Sequence, residues 1–119
     1  MRTLRLLLVE DHLDSAELLA EMLQRHGHTV HVATTVSGAL EVAQREVIDV
    51  VVSDVGLPDA SGYDLMRKLR ETSTIKGIAI TGSSGAQEVQ RGREAGFSAH
   101  LTKPVSLRRL EQELEALTR

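Results

Sequence analysis

A chain of 119 residues, 41% hydrophobic and 26% charged, is long enough to build one core without staples and lies close to the soluble average, so a single domain over residues 1–119 is expected. The longest apolar run near the N-terminus, Leu6–Val9, is far too short for a signal-peptide core or a membrane span. The lack of cysteine excludes disulfides and thiolate metal sites, and a net charge of −3 argues against direct nucleic-acid binding, which needs clustered Lys and Arg; a cytoplasmic chain is the expectation.

Apolar strand-like runs alternate with helix-period segments five times, the signature of βαβ units and a parallel sheet. The first strand, about residues 4–10, is apolar on both faces from Leu6 to Val9, which predicts a central strand covered by helices on both sides. Ala16, Leu19, Ala20 and Leu23 then fall at i, i+3, i+4, i+7 on a first helix, with Gly27 placed to close it. A more alternating second strand covers about residues 28–33. Val36, Ala39, Leu40 and Ala43 repeat the helix spacing, with Thr35 or Ser37 as the N-cap.

Residues 49–54 form the third strand, ending on Asp54 with a Gly-Leu-Pro loop behind it. Ser61 followed by Asp64 matches a capping box, opening a third helix whose inner face carries Leu65, Met66 and Leu69. The fourth strand spans about residues 76–81. The fourth helix, about residues 86–95, offers only Ala86, Val89 and Ala95 for burial and contains Gly92, so it is expected among the first elements to move or open. A short fifth strand, residues 99–102, leads into Lys103-Pro104, and Ser106 caps a last helix with Leu107, Leu110, Leu114 and Leu117 inward.

Polar groups cluster at the ends of these strands: Glu10-Asp11 after the first, Asp54 on the third, Thr81 on the fourth and Lys103 after the fifth. In an open parallel sheet the C-terminal strand ends lie along one edge, where such sheets bind ligands. Three neighbouring carboxylates repel one another unless a cation intervenes, and Mg²⁺ suits one or two carboxylates plus water and phosphate oxygens. With the Thr81 hydroxyl and the Lys103 ammonium, this predicts a site for a phosphoryl group, a carboxylate being available as the nucleophile. Each signal alone is weak; order and spacing carry the reading.

The runs LLLVED at 6–11, VVSDVGLPDASG at 51–62, AITG at 79–82 and AHLTKP at 99–104 resemble those of response-regulator receiver domains over essentially the whole chain. The resemblance implies a flavodoxin-like (βα)5 fold, a doubly wound five-stranded parallel sheet of order 2-1-3-4-5 with helices on both faces. It implies Asp54 as phospho-acceptor, Asp11 as a direct Mg²⁺ ligand, Glu10 as a ligand through water and the Gly56 carbonyl completing the metal shell. Thr81 would contact the phosphoryl group and reorient, Lys103 would pair with it, and the Lys103–Pro104 bond would be cis, which only X-Pro bonds reach at low cost. The implied function is that of a signalling domain rather than an enzyme for a separate reaction. It takes a phosphoryl group from the phosphohistidine of a histidine kinase or phosphotransfer protein and switches the surface of the fourth helix, fifth strand and fifth helix, with a phosphorylation-dependent homodimer among the allowed outcomes. No output segment follows Arg119, and the AGFSAHLTKP run resembles receivers attached to hybrid kinases, so either a stand-alone receiver or one excised from a larger protein is expected.

One departure stands out: where the family usually carries Tyr or Phe as an inward-swinging switch, this chain has His100. It either packs as a plain imidazole or acts as a switch whose state follows pH in the range where a free imidazole titrates. His26, His28 and His31 lack ligand spacing and are expected on the surface, and His12 is expected to border the site without touching metal. By family analogy Gly56 and Ser83 flank the phosphoryl site and tune attack by water. Two alternatives keep the fold and change the function. An FMN binder would need a Ser/Thr/Gly-rich loop where Glu10-Asp11 stands; an interaction module that is never phosphorylated would have no use for the intact acids, Thr81 and Lys103.

Overall fold

Short runs of Leu, Val and Ile that are apolar at every position can only be strands covered on both faces, and the chain builds its sheet from them. The computed structural model describes residues 3–83 and 85–119; Ser84, in the loop expected to move with Thr81, lies outside the described residues, as do Met1 and Arg2. The elements run β1 (Arg5–Val9), α1 (Leu13–Arg25), β2 (Thr29–Ala33), α2 (Val36–Arg45), β3 (Val50–Asp54), α3 (Gly62–Thr72), β4 (Lys76–Thr81), α4 (Ala86–Ala95), β5 (Ala99–Thr102) and α5 (Leu107–Thr118). All strand pairs are parallel and the order is β2-β1-β3-β4-β5, the doubly wound arrangement expected from the alternation.

The period-2 rule sorts the core into two layers. Leu6, Leu8, Val50, Val52, Ile78, Ile80 and Leu101 face α1 and α5, meeting Ala16, Ala20, Leu23, Leu110 and Leu114. Leu7, Val9, Val51 and Ala79 face the other helices, meeting Val36, Ala39, Val42, Leu65, Met66, Leu69 and Ala95. The register aligns Leu8 with Val52, Val52 with Ile78 and Ile80 with Leu101, so the strands finish together along one edge.

Local signals set the helix ends. His12 caps α1, its Nδ1 accepting from the Ser15 N–H at 3.4 Å, and Gly27 follows it with φ of 96°, a conformation that glycine adopts without a Cβ penalty. Thr35, not Ser37, caps α2, its Oγ1 accepting from the Gly38 N–H at 2.9 Å. The Ser61–Asp64 capping box opens α3, and Ser106 caps α5.

Helix α4 starts at Gly85 with no side-chain cap, in line with its weak apolar stripe. Its buried contacts are Gly92 and Ala95, whereas Ala86 is exposed. Gly92 therefore lies in the packed face, where it meets Tyr63, Phe97 and His100, and a period-based reading that counts only side chains misses it. The three-histidine expectation also needs correction. His31 is half-buried within 3.6 Å of Glu46 and His26 lies 3.3 Å from Glu111, but His28 is buried. Its Nδ1 accepts from the Leu4 N–H at 3.1 Å, so its Nε2 carries the proton and donates to Glu111 at 2.8 Å. A polar side chain satisfied on both sides can be buried without ligand spacing.

At Gly62, a Cβ would run into the Asp54 carbonyl oxygen and lie 3.1 Å from Ser53 Oγ, with backbone rather than a flexible side chain in the way. Gly62→Ala is expected to lower stability by about 2 kcal/mol, read as a lower urea midpoint with unchanged m.

Candidate functional site

The alternation that builds the core also aims the polar groups. Glu10 continues the Leu6–Leu8 face of β1, Asp54 the Val50–Val52 face of β3 and Lys103 the Leu101 face of β5, all on the α1/α5 side of the sheet. Backbone bonds from Glu10 N–H to the Ala33 carbonyl (3.0 Å) and from Lys103 N–H to the Thr81 carbonyl (2.8 Å) extend the pairing past the strand ends. Carboxylate oxygens of Glu10, Asp11 and Asp54 lie within 4.8 Å of one another. Asp54 is buried, Glu10 half-buried and Asp11 exposed.

Lys103 reaches over β4 into this cluster. Its Nζ lies 2.7 Å from Asp54 Oδ2 and 3.5 Å from Glu10 Oε2. The other Asp54 oxygen, Oδ1, accepts from the Gly56 N–H at 3.3 Å, and Glu10 Oε1 accepts from the His12 N–H at 3.1 Å. The Lys103–Pro104 bond is cis. The hydrogen bond to Asp54 holds the Lys103 ammonium above the ordinary lysine range. Partial burial, then the Asp54 carboxylate, pushes the Glu10 carboxyl above its usual range, against the opposing pull of the His12 N–H and Lys103.

Thr81 is buried at the end of β4, beside β3, and its Oγ1 accepts from the Ser83 N–H at 3.2 Å. His100 pairs with Ala79 across the β4–β5 ladder, and its half-buried ring lies against Gly92 of α4. The Nε2 lies 3.2 Å from the Ser83 carbonyl; among the described residues, no partner reaches the buried Nδ1. Thr81 and His100 thus both contact Ser83, and the structure brings Glu10, Asp11, Asp54 and Lys103 together. A Cβ at Gly56 would meet nothing within 4 Å.

Sequence reasoning passed over Asp59. Its Oδ1 accepts from the Val36 N–H at 2.9 Å and its Oδ2 from the Ser37 N–H at 3.0 Å, tying the β3–α3 loop to the first turn of α2. The pairing joins residues more than twenty positions apart, so no local pattern announces it.

A doubly wound parallel sheet with clustered acids and an ion-paired lysine on its C-terminal edge defines a class that manages phosphoryl groups or metal at that edge. Residues 6–115 match the sequence profile of the response regulator receiver domain, and the chain belongs to that family. It is 36% identical over 110 residues to the sensor histidine kinase RcsC of Escherichia coli, covering 92% of this chain and 12% of RcsC. It is 35% identical over 105 residues to the transcriptional regulatory protein TorR of Escherichia coli, covering 88% of this chain and 46% of TorR. Among solved structures, the non-phosphorylated HemR receiver domain from Leptospira biflexa superposes with a TM-score of 0.85 at 34% identity, covering 95% of this chain and 92% of that one. The chain thus spans about an eighth of RcsC and under half of TorR. It is a receiver domain of two-component systems, a signalling domain rather than a catalyst of a separate reaction. Receiver domains typically bind Mg²⁺, and Glu10, Asp11 and Asp54 form a cluster able to hold a metal.

The raised Glu10 carboxyl carries a stability consequence. Without metal, the fold gains stability as pH falls through the folded-state pKa of Glu10 and loses it as the group ionises. Glu10→Gln is therefore expected to raise the metal-free melting temperature at neutral pH by about 1–3 °C while weakening Mg²⁺ binding, checked by thermal melts with and without Mg²⁺.

Proposed function

We propose that Asp54 accepts a phosphoryl group from the phosphohistidine of a partner histidine kinase or phosphotransfer protein. The observation that carries this reading is the bracketing of one buried carboxylate. Lys103 holds Oδ2 and the Gly56 N–H holds Oδ1. An Asp54 oxygen forms the O–P bond as the P–N bond to the imidazole breaks, the electron pair returning to the imidazole nitrogen. Lys103, already paired with Asp54, then neutralises phosphoryl oxygens that develop beside it.

The residues present suit Mg²⁺: hard oxygen donors in a crowded acidic corner, with no nitrogen or sulfur ligand required. Asp11 and Asp54 would ligate directly, Glu10 through water and Gly56 through its carbonyl. When bound, the ion supplies positive charge against both the carboxylates and the phosphoryl group.

The added charge of about −1.5 to −2 and three acceptor oxygens fall beside Thr81. In the absence of phosphate its hydroxyl serves the Ser83 N–H; turning toward the phosphoryl group gives up that bond and reshapes the 82–85 loop. His100, bonded to the Ser83 carbonyl, transmits the change to α4, β5 and α5, biasing two states of one surface. That surface then engages a partner or a second copy of the chain. The similarity to part of a sensor histidine kinase and part of a transcriptional regulator supports a cytoplasmic receiver joined to, or working with, such proteins. Among the described residues, no helix is long and apolar enough to cross a membrane.

The donor's approach is marked by exposed Leu13 and Leu18 on α1, Leu18 lining with Met22 and Pro104 a depression that includes Glu10, Asp11 and Lys103. Incubation with Mg²⁺ and a small phospho-donor is expected to add the mass of one phosphoryl group to the wild type and none to Asp54→Asn; an unmodified wild type would favour the interaction-module alternative. Leu18→Glu should slow transfer from a cognate protein donor roughly tenfold or more, the size of one buried apolar contact, and leave the small-donor rate unchanged. For His100→Phe, loss of the wild-type pH dependence of partner affinity supports the pH-sensing switch, and an identical dependence leaves His100 as a packing residue.

A further inference from the structure

The loop from Val55 to Ser61 carries Gly56 and is held at three places. Its base is closed by the Gly62 N–H bond to the Val55 carbonyl (2.8 Å) and by a bridge between Gly56 and Ser61. Its α3 end is set by the Ser61–Asp64 capping box. Its outer part is held by Asp59, whose two oxygens take separate N–H groups of the first turn of α2. A helix's first turn has free N–H groups and a positive dipole end. Thr35 serves the Gly38 N–H from within the helix, and Asp59 serves the two before it from another segment. Donation by the Ser37 and Val36 N–H groups holds the Asp59 carboxyl below the usual carboxylate range.

We propose that Asp59 is a positioning residue for the metal-binding loop: by anchoring that loop to α2, it sets where the Gly56 backbone stands relative to Asp54. This inference rests on the reading of Glu10, Asp11, Asp54 and Gly56 as a Mg²⁺ site. Its physical basis is the short rigid connection. Only Leu57 and Pro58 separate Gly56 from Asp59, and proline fixes its own φ, so displacement of Asp59 passes to Gly56 with little slack. Leu57 and Ala60 are only partly buried against the core, which leaves the loop dependent on its polar ties. A backbone carbonyl cannot be tuned by its own side chain, so control of such a ligand has to come from what fixes the chain on either side of it.

The test is the Mg²⁺ dissociation constant by calorimetry, which needs no phosphorylation, with Thr35→Ala as the comparison because it removes a cap from the same helix turn without touching the loop. Asp59→Ala is expected to weaken Mg²⁺ binding about tenfold, the low end of what outer-shell losses cost, and Thr35→Ala less than twofold. Asp59→Asn, which keeps one acceptor oxygen, should fall between Asp59→Ala and wild type. In the metal-free protein the Gly56 amide resonance should shift in Asp59→Ala and stay in place in Thr35→Ala. Equal weakening by both alanine variants, or wild-type affinity in Asp59→Ala, overturns the positioning role while leaving the Mg²⁺ site intact. If Asp59→Ala does not fold, wild-type affinity in Asp59→Asn overturns it. A wild-type chain that binds no Mg²⁺ removes the metal reading itself, and the role of Asp59 with it.

Discussion

Three carboxylates gathered at the edge of a parallel sheet, two of them facing one ammonium, are the constraint that organises the rest of this domain. For Glu10 and Asp54, with oxygens within 4.8 Å, Coulomb repulsion at an effective dielectric near 20 is about 3 kcal/mol before further solvent screening. That is a sizeable share of a small domain's net stability of roughly 5–15 kcal/mol. The raised Glu10 carboxyl records the repulsion together with its burial, and Lys103 offsets part of it. Parallel strands sit about 4.8 Å apart, so an ammonium on β5 needs a long stem to reach β3 across β4. Lysine supplies one, and its Nζ comes to 2.7 Å from Asp54 Oδ2. The corner is built for a charge that the polypeptide does not itself contain.

Strand periodicity then divides the labour. Glu10, Asp54 and Lys103 extend the face packed by α1 and α5, whereas Thr81 and His100 extend the face packed by α4. In the proposed switch, the phospho-accepting group and its readout would therefore lie on opposite faces of one sheet edge. Helix α4 has no side-chain cap and buries only Gly92 and Ala95, so little free energy resists its displacement. By contrast, Glu111 ties α5 to the buried His28 and to His26 at the α1–β2 junction. A motion started at Thr81, as proposed, would meet the uncapped α4 first.

Local and long-range polar ties do different work in the loops. The caps at Thr35, Ser61 and Ser106 act within a few residues and settle where helices begin. Asp59, reaching from the β3–α3 loop to α2, settles how two elements stand relative to each other. Both use the same unsatisfied N–H groups of a helix start, and the second ties the β3–α3 loop to α2.

Much of this could be read from the linear chain. Uninterrupted apolar runs identified strands buried on both faces, the 3.6-residue spacing located the helices, and the Ser61–Asp64 pair and Gly27 marked helix ends, because each rests on interactions between neighbours in sequence. The convergence of Glu10, Asp11, Asp54 and Lys103 was legible too, since a parallel sheet lines up its strand ends. Tertiary structure alone decided the rest: that His28 is buried against Leu4 and Glu111, that Gly92 rather than Ala86 packs α4, and that Asp59 serves a helix more than twenty residues away. Those outcomes depend on which surfaces meet after folding, and contacts between distant segments leave no periodicity in the sequence from which to read them.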